Sequence, residues 1–151
     1  MKLFTIGTER KKPDIFFALL EKNGVKRVVD IRLKNTRGMV TWLNKEELKF
    51  FLARVANIDY VHELRLAPTE DILAMKDWTK YEPAFKALIA SRHIETLRGD
   101  LHDDDCLLCY ENDPAECHRG LVAEYLKAKC GDIDIVHLQN PDVARHRRSR
   151  Q

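Results

Sequence analysis

The sequence has no apolar run approaching the ~20 residues of a membrane-spanning helix, and its opening MKLFTIG lacks the long apolar stretch of a secretory leader. A cytoplasmic protein without a membrane partner is expected. Glycine is scarce, with six in 151 residues, and no glycine-rich phosphate loop is present: the nearest candidate, TIGTER, has a single glycine. There is no internal repeat, no low-complexity tract and no domain linker. The four cysteines (Cys106, Cys109, Cys117 and Cys130) sit in a chain large enough to fold without staples, so reduced thiols are expected.

What is present fits one globular domain, residues 1–140, with 44% hydrophobic and 33% charged residues over the whole chain. The net charge of +2 is small, but its distribution is uneven. Residues 141–151 form a basic tail with Arg145, Arg147, Arg148 and Arg150; without those four charges the sum falls from +2 to −2. The tail reads as a solvated end. In a sharper reading it contacts a phosphate backbone.

Short apolar runs alternate with helical patterns. KLFTIG, VKRVVDIR, IDYV, CLLCYE and DIVHL read as strands. Between them, Ile15, Phe16, Leu19 and Leu20 form a helical stripe closed by Gly24. Asn44 with Glu47, and Thr79 with Glu82, resemble capping boxes at two further helix starts. Asp113 to Lys129 reads as a fourth helix, with Asp113 as its cap, Pro114 in its first turn and Glu116 bonding back to the cap. The order predicts an α/β fold: a three-layer αβα sandwich around a mainly parallel sheet of about five strands. Two loops, 33–43 and 62–78, are longer than usual connections and are candidate binding loops.

Ligands of an open parallel sheet bind beyond the carboxyl ends of its strands. Those ends carry Gly7, Thr8 and Glu9; Asp30 and Arg32; His62 and Glu63; and Cys109 and Glu111. The fourth helix buries Leu121, Val122, Tyr125 and Leu126. With a regular first turn, His118 falls near the centre of that stripe, and Cys117 and Arg119 flank it by roughly 90–110°. A thiol at a helix N-terminus beside His118 and Arg119 gains thiolate character. Arg119 and Arg32 suit a forked grip on phosphate or carboxylate. The basic loop RLKNTRGMVTW adds Arg37 and Trp42, which suit a phosphate and a stacked base, or a solvated loop with one anchoring tryptophan.

Metal signals are weak. Cys106 and Cys109 have C-x2-C spacing, but strand geometry sends them to opposite faces. The acids Asp100, Asp103, Asp104 and Asp105 with His102 suit a hard cation, or simply a polar loop. His137 is expected to be structural. No cofactor is expected, and the residues leave a metal undetermined.

The motifs TIGTE, VVDIR, LLCYE, CHR and VHL, in this order from Leu3 to about Leu138, resemble the domain-of-unknown-function family 488. The resemblance implies a compact α/β domain. It implies that Gly7, Asp30, Arg32, Cys109, Glu111, Cys117, His118 and Arg119 match the family's signature positions, and it implies no reaction. Many relatives resemble L-G-G after the third strand, where this chain reads Leu64-Arg65-Leu66-Ala67-Pro68. A ligand contact by that loop, which a glycine pair would permit, does not carry over.

The resulting expectation is an enzyme acting on a phosphate-bearing or other anionic substrate, a nucleotide or nucleic acid being favoured. Cys117 is the candidate nucleophile, His118 or Glu111 the proton carrier, and Asp30 the group orienting Arg32 or His118. Arg32, Arg119, Gly7, Thr8, Glu9 and Arg37 are the candidate substrate-binding residues. A non-catalytic anion- or nucleic-acid-binding module, or an internal network that only fixes the fold, are the alternatives. Oligomeric state is not readable from this pattern.

Overall fold

The computed structural model describes residues 1–140, so the basic tail expected at 141–151 lies outside the described residues. Five strands, β1 (Lys2–Gly7), β2 (Arg27–Asp30), β3 (Asp59–His62), β4 (Asp105–Cys109) and β5 (Asp134–Leu138), form one sheet. The order is β3-β2-β4-β1-β5 and every neighbouring pair is parallel. The helices are α1 (Pro13–Lys22), α2 (Lys45–Phe51), α3 (Glu70–Leu73), α4 (Trp78–Ser91) and α5 (His118–Cys130). None of them is long and apolar enough to cross a membrane.

Both faces of the sheet are covered, which is why the central strands are almost continuously buried. Side chains alternate between two apolar layers. Phe4, Ile6, Val28, Cys106 and Leu108 pack with Phe16 and Leu20 of α1 and Leu48 of α2. Leu3, Val29, Leu107 and Cys109 pack with Phe85 and Ile89 of α4 and Val122 and Leu126 of α5. The period of two therefore separates Cys106 from Cys109, as expected.

Crossover handedness accounts for this sorting. The connections β1→β2→β3 run toward one edge of the sheet, and β3→β4→β5 run toward the other. Right-handed crossovers in opposite directions must lie on opposite faces. The direction changes between the adjacent strands β2 and β4, whose following chain segments depart to opposite sides. A crevice opens at that switch point beyond their carboxyl ends.

Several helix starts differ from expectation. Asn44 precedes α2, but its side chain accepts from the Gly38 N–H at 2.8 Å instead of capping the helix. Asp77, not Thr79, caps α4, accepting from the Thr79 N–H. The helix therefore begins at Trp78, and Pro83 falls in its second turn, where it withholds a hydrogen bond from the Thr79 carbonyl. The segment after Asp113 is not one helix. Asp113 caps a 3-10 turn, Pro114–Glu116, Cys117 is extended (φ −143°, ψ 143°), and α5 starts afresh at His118.

Candidate active site at the switch point

The break at Cys117 sets the geometry of the site. In a continuous helix, residues 117 and 118 would diverge by about 100°. With Cys117 extended as the N-cap of α5, the two side chains converge on Cys109, the last residue of β4. Cys109 Sγ, Cys117 Sγ and a His118 ring nitrogen lie within 4.8 Å of one another, and all three residues are buried. His118 Nδ1 is 3.0 Å from Cys109 Sγ. On the other side of the ring, Nε2 donates to the Ile31 carbonyl just beyond β2 at 2.8 Å. Phe85 of α4 meets the imidazole edge to face at 5.3 Å. The ring is thus held by a strand end, a helix start and an aromatic wall.

These residues form the floor of a cavity of about 970 Å³, a size suited to a small-molecule ligand. Thr8, Arg32, Glu111 and Glu116 contribute polar groups. Both long loops supply the walls: Lys34, Met39, Val40 and Leu43 on one side, and Pro68, Leu73, Met75, Lys76 and Trp78 on the other. Trp78 stacks on Tyr81, which stacks on Phe85, so an aromatic ladder descends α4 from the cavity wall to His118.

Burial and mutual hydrogen bonding tune the floor. Burial pushes the Cys117 thiol up, but hydrogen bonds from Cys109 and His118 and the charge of Arg119 outweigh it, so its pKa lies well below the ordinary thiol value. The N-terminal dipole of α5 acts in the same direction. Burial lowers the His118 pKa, but its interaction with the Cys117 thiolate reverses the sign and raises it. Burial and the neighbouring thiolate hold Cys109 protonated. Glu111 is pushed up to about 7 by burial and the Cys117 charge. The shifts favour negative charge on Cys117, a proton on His118 and a neutral Cys109 thiol, with a Glu111 carboxyl able to exchange a proton near neutrality.

Asp30 and Arg32 form a second, tighter unit. The fully buried Asp30 carboxylate accepts from Arg32 Nε and Nη2 at 2.9 Å each, from the Arg32 backbone N–H, from Asn35 and from the Tyr60 hydroxyl. Burial opposes ionisation of Asp30, yet Arg32, Tyr60 and Asn35 hold its pKa below the usual carboxylate value. Arg32 Nη2 also donates to the Leu43 carbonyl, tying down the 33–43 loop.

The expectation that Arg119 reaches the rim is corrected. Arg119 is fully buried beneath the segment that follows β4 and does not line the cavity. It donates to the Thr5 hydroxyl and to the carbonyls of Glu111 and Asn112. Gly7 supports the same segment by absence: a Cβ there would lie 1.8 Å from the Glu111 carbonyl oxygen. Gly120 plays the matching part from α5, where a Cβ would lie 2.1 Å from the Pro114 carbonyl oxygen. Glu9 accepts from the Asn112 N–H, and buried Lys11 donates to the Asn112 side chain at 2.6 Å. Gly7, Glu9 and Arg119 thus shape the site from below, and Arg37 lies away from the cavity lining.

Of the expected chemical residues, Cys117, His118 and Glu111 meet at the cavity floor with Thr8 and Arg32 beside them, and Asp30 sits behind Arg32. Sequence reasoning missed Cys109 as the partner of His118, and missed Lys76, Trp78 and Tyr81. The position of Cys109 at the end of a strand was the available signal for the first. The others were visible only as part of a long loop and the helix after it. Trp42 does not line the cavity; it packs on Phe16 and Phe17, as an anchor would. His137 bonds the Thr5 hydroxyl at 2.6 Å. Asp105 pairs with Arg27, Asp104 with Lys26, and Asp103 accepts from the Lys2 N–H, so this acidic loop is committed to local bonds.

The family model described as "Domain of unknown function DUF488" matches residues 12–126, more than half of the 151-residue chain. No curated protein and no solved structure matches it.

Proposed function

The chain belongs to the DUF488 family, and on that premise we propose that it is an enzyme acting on a compact phosphate-bearing or other anionic substrate, of nucleotide size, at the β2–β4 switch point. The observation that carries this reading is the convergence of Cys117, His118 and Glu111 on the floor of one cavity.

Cys117 is the nucleophile. Its thiolate attacks the electrophilic phosphorus; the S–P bond forms as the bond to the leaving oxygen breaks, and Glu111 gives that oxygen its proton. Water then attacks the phosphocysteine, Glu111 takes the proton, and phosphate leaves with the thiolate restored. His118, fixed by the Ile31 carbonyl, holds the thiolate charge between turnovers. Lys34 and Lys76 draw the anion in from opposite walls. Arg32, clamped to Asp30 through Nε and Nη2, turns its Nη1 edge to the substrate. Trp78 and the methionine-lined walls receive the apolar or planar remainder.

Alkylation mapped residue by residue with mass spectrometry tests the proposal. At neutral pH, in reduced protein stripped of metal with a chelator, iodoacetamide modifies Cys117 faster than the more exposed Cys130, and inorganic phosphate protects Cys117 only. Alkylation of Cys117 no faster than Cys130, or indifference to phosphate, overturns the reading.

A further inference from the structure

Two thiols and an imidazole gathered at one point have a second capacity. We propose that Cys109, Cys117 and His118 bind a single thiophilic metal ion of the zinc class, with its remaining coordination position open to the cavity. The inference uses the side chains of the proposed reaction but does not depend on that reaction.

Four features support it. The first is spacing. A tetrahedral ion with Zn–S of about 2.3 Å and Zn–N of about 2.0–2.1 Å holds its ligand atoms roughly 3.5–3.8 Å apart. The three atoms here already lie within 4.8 Å of one another, and the 3.0 Å Cys109–His118 contact needs to open by only about half an ångström. The second is the histidine. A metal-bound imidazole characteristically donates its other N–H to a carbonyl or carboxylate, which fixes the tautomer. His118 does this through Nε2 to Ile31, directing Nδ1 at the thiols.

The third feature is rigidity. Cys109 ends a central strand, His118 opens a 13-residue helix, and the extended Cys117 between turn and helix lets adjacent residues address one point. The fourth is chemistry. Two sulfurs and a nitrogen select zinc-class ions over magnesium or calcium. Three protein ligands at the base of a cavity leave a position for water or ligand, with Glu111 3.6 Å from Cys109 Sγ beside it. Metal coordination draws charge from the Cys117 thiolate onto the ion and crowds the sulfur, which lowers its nucleophilicity, so the metal-loaded protein is a poor thiol enzyme. Metal availability then governs the proposed activity.

The test is titration of the reduced, metal-free full chain with cobalt(II) alone, read by absorption. One equivalent produces a thiolate-to-cobalt charge-transfer band with tetrahedral d–d bands, and zinc displaces the cobalt. Cys109→Ser and Cys117→Ser each weaken the charge-transfer band by about half and the affinity by at least roughly tenfold. Cys130→Ser, outside the cluster, changes neither. The wild-type titration needs no variant to fold: absence of a thiolate–cobalt band in the folded protein overturns the site. A band undiminished in Cys109→Ser or Cys117→Ser, or lost in Cys130→Ser, also overturns it. Zinc-loaded protein alkylates at Cys117 more slowly than metal-free protein; equal rates overturn the lowered nucleophilicity. Fast, phosphate-protected alkylation without cobalt binding defeats this inference alone. Cobalt binding with an unreactive metal-free Cys117 defeats the proposed reaction alone.

Discussion

Replacing Asp30 by asparagine isolates the unit on which the cavity rests. The substitution keeps shape and removes one charge. The Oδ1 position accepts from the backbone N–H and Nε of Arg32, while Oδ2 accepts from Arg32 Nη2, Asn35 Nδ2 and the Tyr60 hydroxyl. An amide nitrogen at the second position faces three donors; the Tyr60 hydroxyl can turn and the Asn35 amide can flip to accept, but the Arg32 guanidinium cannot. The charge-assisted bond from Arg32 Nη2 is lost, and a guanidinium whose side chain is 12% exposed loses its counter-charge. Breaking a buried pair from one side costs about 3–5 kcal/mol, which lowers Tm by on the order of 10 °C in a chain of this size. Arg32→Met leaves the fully buried carboxylate its bonds from Asn35, Tyr60 and the residue-32 N–H but removes its counter-charge, so it costs a comparable amount, about 3–5 kcal/mol.

The pH dependence has a definite sign. The folded pKa of Asp30 lies below its ordinary value of 3.8. Its stabilisation is therefore complete above the unfolded value and is lost as pH falls through the folded one. Urea unfolding of wild type and Asp30→Asn at neutral pH and at descending acid pH reads both effects. The two stabilities converge on acidification. A cost below about 1 kcal/mol for Asp30→Asn, or a gap that persists at acid pH, would refute the assignment of Asp30 as the hub.

Other outcomes follow from particular contacts. Gly7→Ala drives a Cβ into the Glu111 carbonyl and costs at least about 1–3 kcal/mol by chemical denaturation; wild-type stability would contradict the close packing of that segment. Lys34→Ala and Lys76→Ala, both at exposed residues, each weaken phosphate protection of Cys117 by roughly two- to fivefold with unchanged Tm. Unaltered protection in the double variant would remove these lysines from the anion site. Phe85→Ala opens a void behind His118 and costs about 3–5 kcal/mol, with slower alkylation of Cys117 in the fraction that remains folded. An unchanged alkylation rate would show that the phenyl wall does not position the imidazole.

Much of the architecture was readable from local patterns because local physics governs it. Apolar runs such as CLLC are strands because both faces of a parallel sheet are buried, and a period of two separates Cys106 from Cys109. Alternating elements implied parallel crossovers, and long connections marked the two cavity walls. The motifs TIGTE, VVDIR, LLCYE and CHR each place a residue on the cavity lining. The helix starts were less readable: the Asn44 side chain is taken by the Gly38 N–H of the loop, and Asp77 caps α4 two residues before Thr79, choices that a linear pattern does not rank.

The sequence by itself determined the α/β class, the five strands, the two long loops and the rim on which Cys117, His118, Glu111 and Asp30 would appear. Hydrophobic periodicity and residue chemistry act within a few positions, so one chain suffices to display them. Only the tertiary structure decided that Arg119 turns inward to hold the segment after β4, that Cys109 joins Cys117 and His118, and that Arg32 is bound to Asp30. Those outcomes depend on strand order and on the break at Cys117. Both are set by contacts between residues far apart in the chain, where packing against the sheet outweighs local helical propensity.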